Sequence, residues 1–131
     1  SNYCVTASVD TVDFLRPIEV GELVVMKASV NFVGRTSMVV GIRVEAEDIH
    51  SGTIKHCNSS YFTMVAKDDS GKSVPVPGLI LKTEKQVRRF LKSLNRQEMK
   101  KKHRNETSKK TELQIEDLEI LRNSHKVQLE Y

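Results

Sequence analysis

Apolar and polar residues alternate along the first half of the chain in four stretches, separated by short polar turns. The stretches are 4–14, 23–33, 38–47 and 53–66. A period of two places every second side chain on one face of a strand, so each stretch predicts a strand with one buried face. In the first, Val5, Ala7 and Val9 are predicted to share that face. The short connections are typical of consecutive antiparallel strands.

The hydrophobic period changes after the proline-containing segment PVPG at 75–78. Beyond it, apolar residues are spaced i, i+3, i+4 and i+7, which predicts a helix with one apolar face. The residues with this spacing are Val87, Phe90, Leu91 and Leu94. Thr83 is placed to cap the N-terminus of the helix, with Gln86 three residues later.

The chain has 131 residues, which is enough for one domain with a core. We expect a sheet portion over 1–82, a basic amphipathic helix over 83–104, and a polar, flexible tail over 105–131. A short acidic helix is predicted within that tail, over 111–121. The basic helix suits an outer surface, so the sheet lacks a helix of its own to cover its apolar face.

Charge is concentrated in one segment of the chain. The net charge is +4, and residues 83–110 hold eleven Lys and Arg against three acidic residues. Such a segment has affinity for phosphates, and that affinity weakens steeply with salt. However, Phe90 is the only aromatic residue interleaved with these cations, and no nucleic-acid-binding motif is present. We therefore interpret the segment as a solvated helix and expect no nucleic-acid partner.

Other signals exclude several classes of protein. No apolar run approaches the roughly 18 residues of a membrane span, and no signal peptide is visible. Cys4 and Cys57 lie in strand-like stretches without the spacing of a zinc site, so we expect two reduced core residues and no metal. These observations predict a cytoplasmic protein without a membrane partner.

Three blocks of sequence, taken together, resemble the hotdog-fold acyl-CoA thioesterases. The blocks are VTASVDTVDFLRPI, GRTSMVVGIRVEAED and NSSYFTMVAKDDSGKSVPVP, and the resemblance covers about residues 4–90. In that family an antiparallel sheet wraps a long helix, which supplies an oxyanion-binding amide and the carboxylate that activates water. The resemblance implies an α+β fold, with four long strands of a hotdog-type sheet and a C-terminal helix present in this chain.

The family's first strand and central helix have no counterpart in residues 1–131, so we expect the C-terminal portion of a hotdog domain. Two functions stay open. One is an acyl-CoA thioesterase that hydrolyses fatty acyl-CoA to fatty acid and coenzyme A, with its catalytic helix outside this chain. The other is a non-hydrolytic acyl-CoA-binding module or degenerate subunit. We name no catalytic residue; Asp13, Asn58 and Ser60 are polar candidates, and Asn58 and Ser60 are equally well explained as ordinary sheet residues.

The resemblance also implies contacts with coenzyme A in two segments, and arginines suit its phosphates because the guanidinium matches phosphate oxygens. The resemblance implies contacts from Ala7, Ser8, Val9, Thr36, Ser37 and Met38, and the candidate phosphate partners are Arg35 and Arg96. The competing interpretation is that Arg35 is a solvated charge in a turn and that Thr36 and Ser37 are ordinary hydroxyls at the start of a strand. Residues 7–9 would then be ordinary sheet residues. No cofactor is expected, because coenzyme A is part of the substrate. A homodimer, or a larger homo-oligomer of hotdog dimers, is implied.

Overall fold

The computed structural model describes residues 1–107, 115–116 and 119. Residues 1–107 form four strands and one long helix. These are β1 (Asn2–Phe14), β2 (Glu22–Val33), β3 (Ser37–Asp48), β4 (Ile54–Asp68) and α1 (Glu84–Thr107). The strands pair antiparallel in one sheet of order β1-β4-β3-β2. The predicted α+β class, four long strands and C-terminal helix are confirmed.

The chain divides into two compact units, Ser1–Leu94 and Asn95–Tyr131. The first unit holds the whole sheet and the beginning of α1, and the second holds the end of α1. The helix predicted over 111–121 lies for the most part outside the described residues, although 115–116 and 119 are helical. The division into segments at 82 and 104 stays a prediction.

The strand register gives the sheet two chemically different faces, because residues opposite each other on neighbouring strands point to the same side. We call the side that carries Val40, Ile42 and Val44 the apolar face. The side that carries Gly41 and Tyr61, which are opposite each other, is the polar face. Both faces run across all four strands.

Two bulges in β1 break the alternation that the sequence predicts. The register shifts between Thr6 and Ser8 and again between Val9 and Thr11, so Ala7 and Asp10 are extra residues. A bulge inserts one residue and reverses the facing of those that follow. Thr6 therefore shares the apolar face with Val9, and the predicted common face for Val5, Ala7 and Val9 is wrong.

The apolar face is open to solvent over much of its area. Phe14 and Met26 on this face are 82% and 70% exposed, although both are large and apolar. Cys4 is also exposed, which corrects its prediction as a core residue, whereas Cys57 is buried.

Over residues 1–107, α1 is the only helix, and its Phe90 ring packs against Phe32 with centroids 4.9 Å apart. Thus α1 packs against the polar face, where Phe32 lies opposite Val39.

The packed side of α1 differs from the predicted apolar stripe. Ser93 is only 1% exposed, while Val87 and Leu91 are 40% and 56% exposed. Ser93 is one turn after Phe90, on the same side of the helix, and Phe90 supplies the large apolar contact with Phe32. The predicted apolar stripe is therefore only partly buried, because Phe90 packs on Phe32 of the sheet while Val87 and Leu91 are exposed.

The N-terminus of α1 has the predicted cap. The Gln86 backbone N–H donates to Thr83 Oγ1 at 3.2 Å, and the Thr83 backbone N–H donates to Gln86 Oε1 at 3.2 Å. The Lys82 backbone N–H also donates to Gln86 Oε1, at 2.7 Å. This reciprocal pair is a capping box, which satisfies N–H groups that have no partner within the helix.

Glu45 on β3 accepts two charged hydrogen bonds on the polar face. Lys27 Nζ donates to Oε1 at 2.8 Å and Arg43 Nε donates to Oε2 at 2.9 Å. Lys27 and Arg43 are opposite each other on β2 and β3. The hydrogen bond from Lys27, followed by that from Arg43, lowers the pKa of Glu45. One carboxylate thus holds two like charges side by side.

Replacing the cap hydroxyl should destabilise the first unit. We expect Thr83→Ala to lower the free energy of unfolding by about 1 kcal/mol, because the Gln86 N–H loses its acceptor. Urea unfolding followed by circular dichroism measures this loss. Thr83→Ser keeps a hydroxyl at the same position and is the matched control. Equal stability of the Ala and Ser variants would show that the cap contributes nothing.

The Glu45 ion pairs should make stability depend on pH. Because the folded pKa of Glu45 is lowered, its contribution is present above the ordinary glutamate pKa and disappears as pH falls through the folded value. We expect the stability difference between the native protein and Glu45→Gln to shrink on acidification from about pH 7 to about pH 3. Glu47→Gln, on the same strand, is the control. A difference that stays constant over this range would contradict the prediction.

Candidate functional site

The GRTS turn that joins β2 to β3 is fixed by its own backbone. The Gly34 N–H donates to the Ser37 carbonyl at 2.8 Å. The Arg35 carbonyl accepts from the Val76 N–H at 2.9 Å, and the Thr36 carbonyl accepts from the Ala66 N–H at 3.0 Å. The turn is therefore tied both to the end of β4 and to the proline-containing segment. The Arg35 side chain is exposed at the surface.

The two segments implied to contact coenzyme A lie at the same end of the sheet, on either side of β4. Met38 is opposite Met64, and Met64 is in turn opposite Thr6. One residue further along β4, Val65 lies between Ser37 of β3 and Val5 of β1 and is opposite both. Adjacent strands are about 4.8 Å apart, so β1 and β3 are separated by roughly 10 Å. The register brings the two segments close without placing them in contact.

The side chains of these segments divide between the two faces. Val9 and Met38 lie on the apolar face, whereas Ser8 and Ser37 lie on the polar face. Ser8 Oγ donates to Asp10 Oδ1 at 2.7 Å, and Thr63 Oγ1 donates to Asp10 Oδ2 at 2.6 Å. The Ser8 hydroxyl is thus held by a neighbouring carboxylate.

Ala7 and Arg96 are not assigned to either face of the sheet. Ala7 is the extra residue of the first β1 bulge. Arg96 lies in the second compact unit, on α1. The coenzyme A contacts of this set therefore stay a prediction.

A cavity of about 670 Å³ lies on the apolar face, toward the C-terminal end of β1. Most of its lining is hydrocarbon. The lining residues are Val12, Phe14, Leu15, Arg16, Pro17, Ile18, Val44, Cys57, Asn58, Ser60 and Phe62. The Leu15 N–H donates to the Cys57 carbonyl at 2.9 Å, which fastens the chain after β1 to β4. A cavity of this kind suits an aliphatic group.

The cavity contains two of the three polar candidates from the sequence. Asn58 and Ser60 line it, and Ser60 is buried. Asp13 is opposite Ser59, which places both on the polar face. There Ser59 Oγ lies 2.7 Å from His56 Nε2. None of the lining residues is acidic or a histidine, so the lining offers hydrogen-bond donors to a substrate but no general base.

A second cavity, of about 440 Å³, lies on the polar face between the sheet and α1. Four cationic side chains line it, and sequence reasoning did not group them. They are Lys27, Arg43, Lys85 and Arg89. Two signals were available: Lys85 and Arg89 are one helical turn apart, and Lys27 and Arg43 occupy neighbouring strands. Predicting that these two pairs lie together requires knowing how α1 packs on the sheet.

Within the described residues, no group of three or more His, Cys, Asp or Glu side chains is arranged to hold a metal ion. The same part of the chain contains no helix with the length and hydropathy needed to cross a membrane.

Comparison with known proteins places this geometry in a family. The profile of the Thioesterase superfamily matches residues 1–53. Protein VdlD of Helicobacter pylori is 49% identical over 104 residues, and the match covers 76% of this chain and 59% of VdlD. The chain therefore spans less than two thirds of the length of that relative.

Solved structures agree with the sequence comparison. An apo-hexameric acyl-CoA thioesterase superposes with a TM-score of 0.73 at 39% identity, covering 76% of this chain and 64% of that one. A variant of the Staphylococcus aureus acyl-CoA hydrolase in complex with coenzyme A superposes with a TM-score of 0.73 at 31% identity, covering 92% and 68%. By sequence and by fold, the chain belongs to the hotdog-fold acyl-CoA thioesterase family.

Proposed function

We propose that this chain is the sheet portion of an acyl-CoA thioesterase and that its apolar cavity holds the fatty acyl chain. The observation that carries the proposal is the 670 Å³ cavity on the apolar face, with its nearly continuous hydrocarbon lining. Burying an alkyl chain there removes apolar surface from water, at about 25 cal/mol per Å². Membership of the thioesterase family indicates that such an acyl chain would be joined to coenzyme A through a thioester.

The polar residues of the cavity suit the reacting end of the substrate. Thioester hydrolysis requires a water to attack the carbonyl carbon while donors stabilise the oxyanion that forms. The Asn58 amide and the Ser60 hydroxyl are donors within the cavity wall. Their proposed role is to orient the acyl group, because the resemblance places the base and the oxyanion donor on the family's central helix.

The coenzyme A end of the substrate is proposed to lie toward the GRTS turn. The exposed Arg35 guanidinium is available there for a phosphate. The bulge at Ala7 interrupts the ladder to β4, and a bulged residue leaves its backbone without a ladder partner. Backbone groups of Ala7 and its neighbours are therefore suited to the amides of the pantetheine arm.

The edges of the sheet favour assembly with further copies of the chain. Over the described residues, β1 and β2 stand at the two edges of the sheet. An edge strand presents N–H and C=O groups that can pair with another strand. We therefore propose a homodimer or a larger homo-oligomer; the hexamer named for one structural neighbour is of that kind. The cytoplasmic location stays a prediction.

Thiol release from a panel of acyl-CoAs tests the hydrolase proposal. We expect release when the chain is expressed together with a segment that supplies the family's first strand and central helix, and none from the 131 residues alone. A long-chain acyl-CoA should still bind to the 131 residues, because the apolar lining described above lies within them. Hydrolysis by the chain alone would contradict the expected position of the base. Binding without hydrolysis by either protein would favour the non-hydrolytic module.

Filling the cavity should discriminate between long and short acyl chains. Val12 lines the cavity and is partly exposed, so Val12→Trp adds bulk without opening the core. We expect about tenfold weaker binding of a long-chain acyl-CoA and little change for a short-chain one. Leu23→Trp, on the polar face opposite Glu47, is the matched control. Equal effects of Val12→Trp on both ligands would place the acyl chain elsewhere.

A further inference from the structure

Arg16 is a cation in the wall of a cavity that is otherwise uncharged. Among the described residues that line the apolar cavity, it is the only one with a charged side chain. Its guanidinium group forms no ion pair or hydrogen bond with another residue that the structure describes. Because the residue is exposed, this group stays hydrated and needs no buried partner. The cavity wall therefore offers charged N–H donors to a ligand.

The backbone holds Arg16 against β4. The Leu15 N–H donates to the Cys57 carbonyl at 2.9 Å, and the Arg16 N–H donates to the same oxygen at 3.4 Å. Pro17 follows directly, and a proline restricts the backbone of the residue before it to extended conformations. These contacts keep Arg16 next to Asn58, the residue that follows Cys57 on β4. The fold thus sets the position of the cation in the cavity wall.

Two uncharged polar side chains lie near Arg16 in the same wall. Asn58 is opposite Phe14 and Ser60 is opposite Val12, so both point to the apolar face. Two residues apart on a strand, they are roughly 7 Å from each other. The Asn58 side chain forms no hydrogen bond within the part of the chain that the structure describes. Its amide N–H groups and the Ser60 hydroxyl add neutral donors beside the charged ones.

A carboxylate is the group that suits these donors best. The planar guanidinium of Arg16 can bind two carboxylate oxygens through parallel N–H···O hydrogen bonds. The remaining lone pairs of a carboxylate can accept from Asn58 and Ser60. Next to the three side chains, the cavity of about 670 Å³ is lined mostly by hydrocarbon, which suits an alkyl chain. An alkanoate combines an alkyl chain with a single anionic end.

We propose that the apolar cavity binds a free alkanoate, with its carboxylate on Arg16 and its alkyl chain along the hydrocarbon wall. Hydrolysis adds water across the C–S bond of a thioester and gives a carboxylate, a thiol and a proton. The thioester is uncharged, so the fatty acid gains an ion pair with Arg16 that the substrate lacks. The cavity would then retain this product. Its role as a product rests on the proposed hydrolase function, whereas the binding site rests on the cavity and Arg16.

Calorimetric titration of the 131-residue chain with decanoate and with 1-decanol tests the proposal. The two ligands have the same chain length, but only decanoate is charged at neutral pH. We expect decanoate to bind about fivefold tighter, because an ion pair with an exposed arginine contributes modestly. Arg16→Gln should remove this preference and leave the affinity for 1-decanol unchanged.

Arg88→Gln is the matched control, because it removes an exposed arginine of α1 that does not line the cavity. It should keep the preference for decanoate, and thermal unfolding of both variants should match the native protein. Equal affinity of the native protein for the two ligands overturns the proposal. A preference that survives Arg16→Gln, or that Arg88→Gln also removes, overturns it as well.

A second pair of ligands identifies the source of the carboxylate. Decanoyl-CoA is compared with its analogue that carries a carboxylate at the far end of the acyl chain. We expect similar affinities of the native protein for both. If the analogue binds more tightly and Arg16→Gln removes the difference, Arg16 recognises the far end of an acyl chain, and the assignment to a free alkanoate is wrong.

The outcomes for this site and for the proposed hydrolase function are separable. Val12→Trp should weaken decanoate and 1-decanol equally, because it obstructs the alkyl chain and leaves Arg16 in place. A preference for decanoate that depends on Arg16, without thiol release from any acyl-CoA, supports the carboxylate site and contradicts the hydrolase. Thiol release without that preference supports the hydrolase and overturns the carboxylate site.

Discussion

The register of β4 is the constraint on which the arrangement of this molecule depends. β4 pairs with β1 on one side and with β3 on the other, so each residue from Asn58 to Val65 is opposite one residue on each neighbour. Ser60, for example, sets Val12 and Ile42 on the apolar face. Because side chains alternate, a slip of one residue would move every such set to the other side. Both cavities exist only in the observed register.

That register lets one sheet serve two kinds of chemistry without interference. The apolar face presents a largely hydrocarbon cavity, whose lining also includes Arg16, Asn58 and Ser60, while the polar face collects cations around Glu45. A single layer of backbone separates them. A charge transferred to the hydrocarbon side would lose its hydration and its partners, which is costly. The two cavities share no lining residue, so a ligand in one would not compete for the side chains of the other.

The regular parts of the fold could be predicted from sequence, because they follow from local patterns. Alternation located the four strands, and Thr83 with Gln86 located the start of α1. The bulges at Ala7 and Asp10 could not be predicted, since an extra residue in a strand leaves no distinct signal in its composition. The pattern of burial along α1 was also missed, because apolar spacing favoured Leu91, which is exposed, while the small Ser93 is buried. The apolar cavity itself was not predicted, although two of its lining residues, Asn58 and Ser60, were polar candidates from the sequence.

The bulges also change what the family resemblance implies for β1. Had the strand been regular, Ala7, Ser8 and Val9 would have presented side chains to alternate faces in a continuous ladder. Instead the ladder breaks at Ala7, Ser8 is held by Asp10, and Val9 returns to the apolar face. A ligand that runs along this segment meets an edge where the ladder to β4 is interrupted at Ala7. Any recognition of a pantetheine arm here would therefore depend on backbone geometry more than on side-chain identity, and substitutions that straighten β1 would disturb it more than those that change Ser8.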